Sequence, residues 1–214
     1  MVKKLTKAEI EEFFAILEAD NPNPKGELDY INPYTLLVAV TLSAQATDKG
    51  VNKATEGLFK IVKTPQDMLN LGIDNLIKHI RTIGLYNAKA KNLMAMAQIL
   101  VDDFNGEVPN NRDDLVKLPG VGRKTANVVL NIAFNEPTMA VDTHIFRVSN
   151  RTGLAPGKNV DIVEQELLKR VPAQYMLHAH HWLILLGRYI CKARTPLCSQ
   201  CKVKHVCHYD QKIV

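Results

Sequence analysis

No stretch of this 214-residue chain is long and apolar enough to span a bilayer as a helix. The longest nearly apolar runs, 34–42 and 182–186, fall far short of the roughly 20 residues a span needs. A secretory leader is not apparent either, because the opening MVKKLTKAEIEEFF turns acidic where a leader requires its apolar segment. The expectation is a protein that stays in the compartment where it is made. Strand-like alternation is missing, as are repeats and low-complexity segments. Cysteine is absent from the first 190 residues, which excludes a secreted disulfide scaffold. With 46% hydrophobic and 23% charged residues, the composition excludes disordered, collagen-like and coiled-coil classes. What remains is a globular chain, large enough for a real core, carrying a net charge of +5 and a pI near 9.0. Such a balance favours a polyanionic partner without establishing one.

Helical periodicity fills the chain. Thr6 and Glu9 form a capping box ahead of the apolar stripe Ile10, Phe13, Phe14 and Leu17. Asn32-Pro33 predicts a helix over 34–46, with further starts at Asp48, at Thr64-Pro65 and at Asp74. A long helix is predicted over about 87–104, then 112–117, a turn at 118–122, and a helix to about Phe134. Asp142 and Asn159 each open another, and 173–190 is the most apolar of all. The prediction is an all-α protein of about ten helices.

All four cysteines fall in the last 24 residues, as Cys191, Cys198, Cys201 and Cys207. Unrelated buried thiols would not collect in one tail. Four thiolates suit zinc or an iron–sulfur cluster, since both take soft sulfur donors. Structural zinc usually uses two short knuckles, and only Cys198/Cys201 makes one. The wide outer spacings leave room for a bulkier cluster, so spacing leaves both open. Four thiolates complete a shell without His205 and His208, which are read as solvated. Lys192, Arg194, Lys202 and Lys204 either balance the charge of such a centre or make 192–197 a basic finger aimed at phosphate.

A second constellation is Leu118-Pro119-Gly120-Val121-Gly122-Arg123-Lys124-Thr125-Ala126. Two glycines spaced by one residue allow a tight turn and close approach at a helix N-terminus, an anion site strengthened by the helix dipole. Lys124 falls in the first helical turn beside Arg123. The dipole and a like charge there both disfavour the ammonium form, as a nucleophilic amine requires. Residues 135–141 can span roughly 23 Å against a helix of roughly 16 Å, so the chain can return to bring Asp142 toward Lys124. An amine and a carboxylate beside a phosphate site would suit base removal through a Schiff base.

LPGVGRKTAN at 118–127, VDTHIFRVSNR at 141–151 and the C-x6-C-x2-C-x5-C tail together resemble the endonuclease III family. That family comprises bacterial DNA glycosylase/AP lyases of the helix-hairpin-helix superfamily. LSAQATDKGVNKAT at 42–55, GLYNAKAKN at 84–92 and HHWLILLGRYIC at 180–191 extend the likeness over essentially the whole chain. The resemblance implies two helical domains flanking a DNA-binding cleft. One, 26–136, would carry the hairpin; the other, 1–25 with 137–214, would hold a [4Fe-4S] cluster on the four cysteines. It implies that Lys124 attacks C1′ of the damaged nucleotide, that Asp142 assists, and that β-elimination follows. Gln45 matches the residue filling the gap left by a flipped base, and Leu85 the apolar wedge opposite. Gly120 and Gly122 match the hairpin's phosphate-binding amides, with Arg123 beside them. Thr195 stands where many relatives have a basic residue, leaving Lys192 and Arg194 to charge the cluster loop. The implied partner is double-stranded DNA with an oxidised pyrimidine, bound by a monomer without a membrane, in a bacterial cytoplasm and at the nucleoid.

Two rivals stand beside this. An adenine glycosylase of the same superfamily would generally lack the lysine at 124 and carry a further C-terminal domain, whereas this chain ends seven residues after Cys207. A non-catalytic DNA-binding module would use hairpin and metal loop alone and would have no need of Lys124 with Asp142.

Overall fold

The computed structural model describes residues 2–212. Every regular element among them is helical, as the periodicity predicts. The chain divides into two compact units, Glu27–Asn135 and Met1–Gly26 with Glu136–Val214.

The first unit is built around α2 (Pro33–Leu42), in which Tyr34 to Leu42 are all buried. A helix apolar on every face belongs in a core, and this one is surrounded. Asn32 caps it by accepting from Thr35 N–H, and Pro33 supplies the fixed φ of a first helical turn. Around it stand α3 (Asp48–Ile61), α4 (Pro65–Leu71), α5 (Ile73–Ile80), α6 (Tyr86–Phe104), the short α7 (Arg112–Leu115) and α8 (Arg123–Phe134). Helix α2 packs on α8, while α4 and α5 pack on α6. Leu93, Met96, Ala97 and Leu100 give α6 its buried stripe.

Helix α2 stops at Leu42, four residues short of the predicted end. Ser43 terminates it: its N–H bonds Ala39 O and Val40 O, and its hydroxyl bonds Val40 O. Gln45 then takes a left-handed φ of 56°, which no α-helix accommodates. Helix α5 begins at Ile73 rather than Asp74, after Gly72 at φ 77°.

The second unit joins α1 (Lys7–Asp20) to α9 (Thr143–Thr152), α10 (Val160–Arg170) and α11 (Ala173–Leu185). Phe14 stacks on Tyr175 at 5.6 Å, and Trp182 lies 6.2 Å from both rings. The indole N–H donates to Asn21 O just beyond the end of α1, so the apolar ring keeps a satisfied polar edge. The predicted helix 173–190 is regular only to Leu185. Residues 186–190 widen into a turn of π-helix, closed by Cys191 N–H to Leu186 O at 2.7 Å. The widening lies where Gly187 meets α9, so closely that a Cβ would come within 2.8 Å of His144 Cβ.

The N-terminal segment is held by the end of α9. Leu5 N–H donates to Gly153 O, and Gly153, at φ 84°, leaves no room for a Cβ, which would lie 2.2 Å from Lys3 O. Gly153→Ala should therefore lower stability by about 2–4 kcal/mol, read by urea unfolding. A second prediction follows from the capping box. Backbone and hydroxyl hydrogen bonds at Thr6, with His208 adding to them, hold the Glu9 carboxyl down at about 2. A depressed carboxyl stabilises the fold in full above its unfolded value near 4.5, and that contribution fades as pH falls through about 2. Glu9→Gln should flatten this acid limb of an unfolding-versus-pH profile.

Candidate nucleic-acid interface and cysteine centre

The 118–122 turn is pinned by its apolar residues and opened by its glycines. Leu118 and Val121 are buried, and Val121 N–H closes the turn on Leu118 O. The two glycines do different work. Gly120 takes φ 83°, and a Cβ there would meet Asn92 of α6 at 3.0 Å and Thr41 of α2 at 3.2 Å. Gly122 is extended and exposed, and a Cβ would meet nothing of the protein within 4 Å. Its freedom faces outward, where a ligand's backbone could approach. Gly122 also leaves α8 without a side-chain cap, unlike α7, where Asn111 accepts from Asp114 N–H. Helix starts of this kind offer N–H groups and a positive dipole end to an anion. Arg123 and Lys124 are exposed at that start, while Ala126, Val129 and Leu130 bury the other face of α8.

Gln45 and Leu85 lie on two neighbouring turns of the same unit. Both are exposed and both are left-handed, with φ 56° and 60°. Leu85 is 63% exposed, which removes any role in the core after the Gly84 turn. Gln45 lies beyond the end of α2, so it is no polar face residue of that helix. The turns are close neighbours: a Cβ added at Gly84 would lie 4.0 Å from Gln45 O.

In the other unit Asp142 caps α9. Its Oδ1 accepts from His144 N–H and from Ile145 N–H, each at 2.9 Å. The cap engages one carboxylate oxygen and leaves Oδ2 for other work. The helix it opens is stitched to the cysteine segment by two arginines four residues apart. Arg147 donates to Cys191 O at 2.8 Å and to Gly187 O at 2.6 Å. Arg151 donates to Lys192 O and Ala193 O at 2.6 and 2.7 Å, and its Nη1 lies 3.7 Å from Cys191 Sγ. Leu197 N–H closes the loop on Ile190 O, leaving Lys192, Arg194 and Thr195 exposed on it.

All four cysteines are free thiols, and all four line one cavity with about 390 Å³ of open space, part of it continuous with solvent. Leu186, Ile190 and Val203 supply apolar wall, and Arg151, Lys204 and Lys212 bring positive charge to the same cavity. Burial first, and the neighbouring thiols second, push the Cys201 thiol up to about 11. Burial raises Cys207 as well, although Tyr209 N–H donates to its sulfur. A positive metal centre reverses this, because coordination removes the thiol protons. Four free thiols around one cavity fit a soft metal centre, in which Cys191, Cys198, Cys201 and Cys207 would be the ligands.

His208 is not the solvated residue expected, whereas His205 is exposed as expected and still finds a partner. His208 Nε2 lies 2.9 Å from Glu9 Oε1 and its Nδ1 3.1 Å from Lys3 O, while His205 pairs with Glu12 at 2.9 Å. Both tie the tail to the N-terminal segment. They escape sequence reasoning because the partners lie more than 190 residues away. Arg147 and Arg151 escape it too, and their i, i+4 spacing on an otherwise amphipathic helix is the only trace they leave.

Comparison with known proteins bears on these features together. Residues 38–173 match the model of the HhH-GPD superfamily base excision DNA repair protein. Endonuclease III of Rickettsia conorii (strain Malish 7) is 57% identical over 200 residues, covering 94% of this chain and 95% of that one. Endonuclease III of Escherichia coli (strain K12) is 54% identical over 209 residues, covering 98% and 99%. Among solved structures, a trapped endonuclease III–DNA covalent intermediate, an estranged-adenine complex, superposes with a TM-score of 0.86 at 46% identity. That match covers 95% of this chain and 96% of the other.

Proposed function

Since the chain belongs to the HhH-GPD superfamily of base excision DNA repair proteins, and within it to the endonuclease III family, we propose how its residues divide the work of a bifunctional DNA glycosylase/AP lyase. The enzyme removes oxidised or damaged pyrimidines, thymine glycol among them, and then cleaves the strand 3′ to the abasic site.

The observation that carries this reading is the exposed Lys124 in the first turn of α8, directly after the outward-facing Gly122. Backbone N–H groups around Gly120 and Gly122 hold a DNA phosphate, with Arg123 beside them. The neutral amine of Lys124 attacks C1′ of the damaged nucleotide. The bond from C1′ to the base breaks, and the base leaves with the electron pair and takes up a proton. Opening of the sugar ring at O4′ then gives a Schiff base between C1′ and Nζ. Loss of a proton from C2′ expels the 3′ phosphate, and water releases the lysine. Asp142 assists with the carboxylate oxygen that its cap leaves free, accepting and returning protons through these steps. A chain 46% identical to this one has been seen covalently joined to DNA, which supports an amine nucleophile here.

The damaged nucleotide is extruded from the duplex before it reacts, with Gln45 entering the gap and Leu85 wedging the opposite strand. Left-handed backbone at both residues projects them from exposed turns, which suits insertion better than packing. Lys192 and Arg194 add phosphate contacts from the loop of the second unit. Cys191, Cys198, Cys201 and Cys207 hold a [4Fe-4S] cluster; when bound it supplies a redox-capable, four-point tether for the tail and no base chemistry. The enzyme acts as a monomer on DNA at the nucleoid.

Borohydride should trap the native chain covalently on duplex DNA bearing thymine glycol or an abasic site. Lys124→Gln should bind the same DNA, give no adduct, and lose strand cleavage by about 10³-fold or more. Asp142→Asn should bind while losing most turnover. A native chain that gives no adduct overturns the lyase reading. Purified protein should be brown with about four irons per chain, and Cys201→Ala should lose the colour. A colourless preparation with stoichiometric zinc would refute the cluster.

A further inference from the structure

Lys89 is 6% exposed, far below what a lysine ordinarily shows, and nothing proposed so far uses it. It lies in the first turn of α6, on the buried side that continues through Leu93 and Met96. Two forces oppose a charge there. Burial pushes its ammonium below the ordinary lysine value, and the N-terminal dipole of its own helix is repulsive. The residue nevertheless donates from Nζ to Leu42 O at 2.9 Å, across 47 positions of sequence. Leu42 is the last residue of α2, so its carbonyl belongs to the negative end of a helix that leaves such groups unsatisfied.

The position of this bond matters more than its strength. Three residues beyond Leu42 is Gln45; four residues before Lys89 is Leu85, whose carbonyl accepts from Lys89 N–H at 3.0 Å. Lys89 is therefore bonded at one end to the base of the Leu85 turn and at the other to the base of the Gln45 turn. Both turns hold a non-glycine residue at positive φ, a conformation that persists only where the surroundings over-determine it.

We propose that Lys89 is a positioning residue for nucleotide extrusion, clamping the Gln45 and Leu85 turns together so that both side chains enter the duplex in register. The proposal rests on the assignment of Gln45 and Leu85 to the opened base pair. Lys89 touches neither substrate nor the reacting atoms, so its effect falls on opening the duplex and spares the chemistry of Lys124.

The test compares Lys89→Met, of similar length and uncharged, with the native chain on two substrates: thymine glycol paired with adenine in a duplex, and an abasic site in a single strand, where nothing must be unstacked. The expected result is a duplex single-turnover rate lowered about 10- to 100-fold, with borohydride trapping on the single strand and the unfolding temperature both near native. A lone buried ammonium is not needed for stability, so the methionine should be tolerated. Lys89→Gln, which keeps a neutral donor, should recover most of the duplex rate. Equal loss on both substrates, an unchanged duplex rate, or a Lys89→Met chain that fails to fold each overturns the proposal. Gln45→Ala and Leu85→Ala are run alongside. If these leave the duplex rate intact, the assignment of the two turns fails and the clamp with it. If they slow the duplex alone while Lys89→Met does not, only the Lys89 proposal fails.

Discussion

Helix ends are the constraint on which most of this structure turns. Each helix leaves N–H groups at its start and carbonyls at its finish, and burial without partners is costly. Thr6, Asn32, Thr47, Thr64, Asn111, Asp142 and Asn159 each place a side-chain oxygen on such N–H groups. Helices α5, α6, α8 and α11 start without one. Two of those four, α6 behind Leu85 and α8 behind Gly122, open at the exposed turns assigned here to DNA. At helix finishes the same problem is met by cations: Lys89 reaches the last carbonyl of α2, and Arg147 and Arg151 reach carbonyls from Gly187 to Ala193.

One capping residue shows how structure and chemistry share an atom set. Asp142 is an ordinary N-cap by its two bonds to His144 and Ile145, and its position in Val-Asp-Thr-His is what any helix start would accept. Because both bonds fall on Oδ1, the carboxylate is oriented without being consumed. Arg147 then ties the capped helix to the carbonyl of the first cysteine. The cysteine segment and the carboxylate are thus parts of one braced assembly within their unit, although neither kind of residue touches the other.

Local features were readable in the sequence with little loss. The Thr6–Glu9 box, the Asn32-Pro33 start, the Thr64-Pro65 start and the Asp142 cap all stand where their residue types require, since capping is settled within four residues. Errors came where a helix is ended by what packs against it. Ser43 and the left-handed Gln45 stop α2 early, and the close approach of Gly187 to His144 widens the end of α11 into a π turn. Residue type alone also misjudged His208, which is bonded to Glu9 and Lys3 rather than solvated.

By itself the sequence determined the all-α class, the helix starts, the glycine turn before Lys124 and the grouping of four cysteines in one tail. Each is encoded in neighbouring residues or in spacing, and needs no knowledge of what lies across the fold. The tertiary structure alone decided that Leu85 is exposed, that the two glycines of the turn differ in what they permit, and that Lys89, Arg147 and Arg151 are braces. Their partners are backbone carbonyls 40 or more residues away. A carbonyl is present at every residue and leaves no mark in the sequence, so only the folded chain reveals which one a buried cation has found.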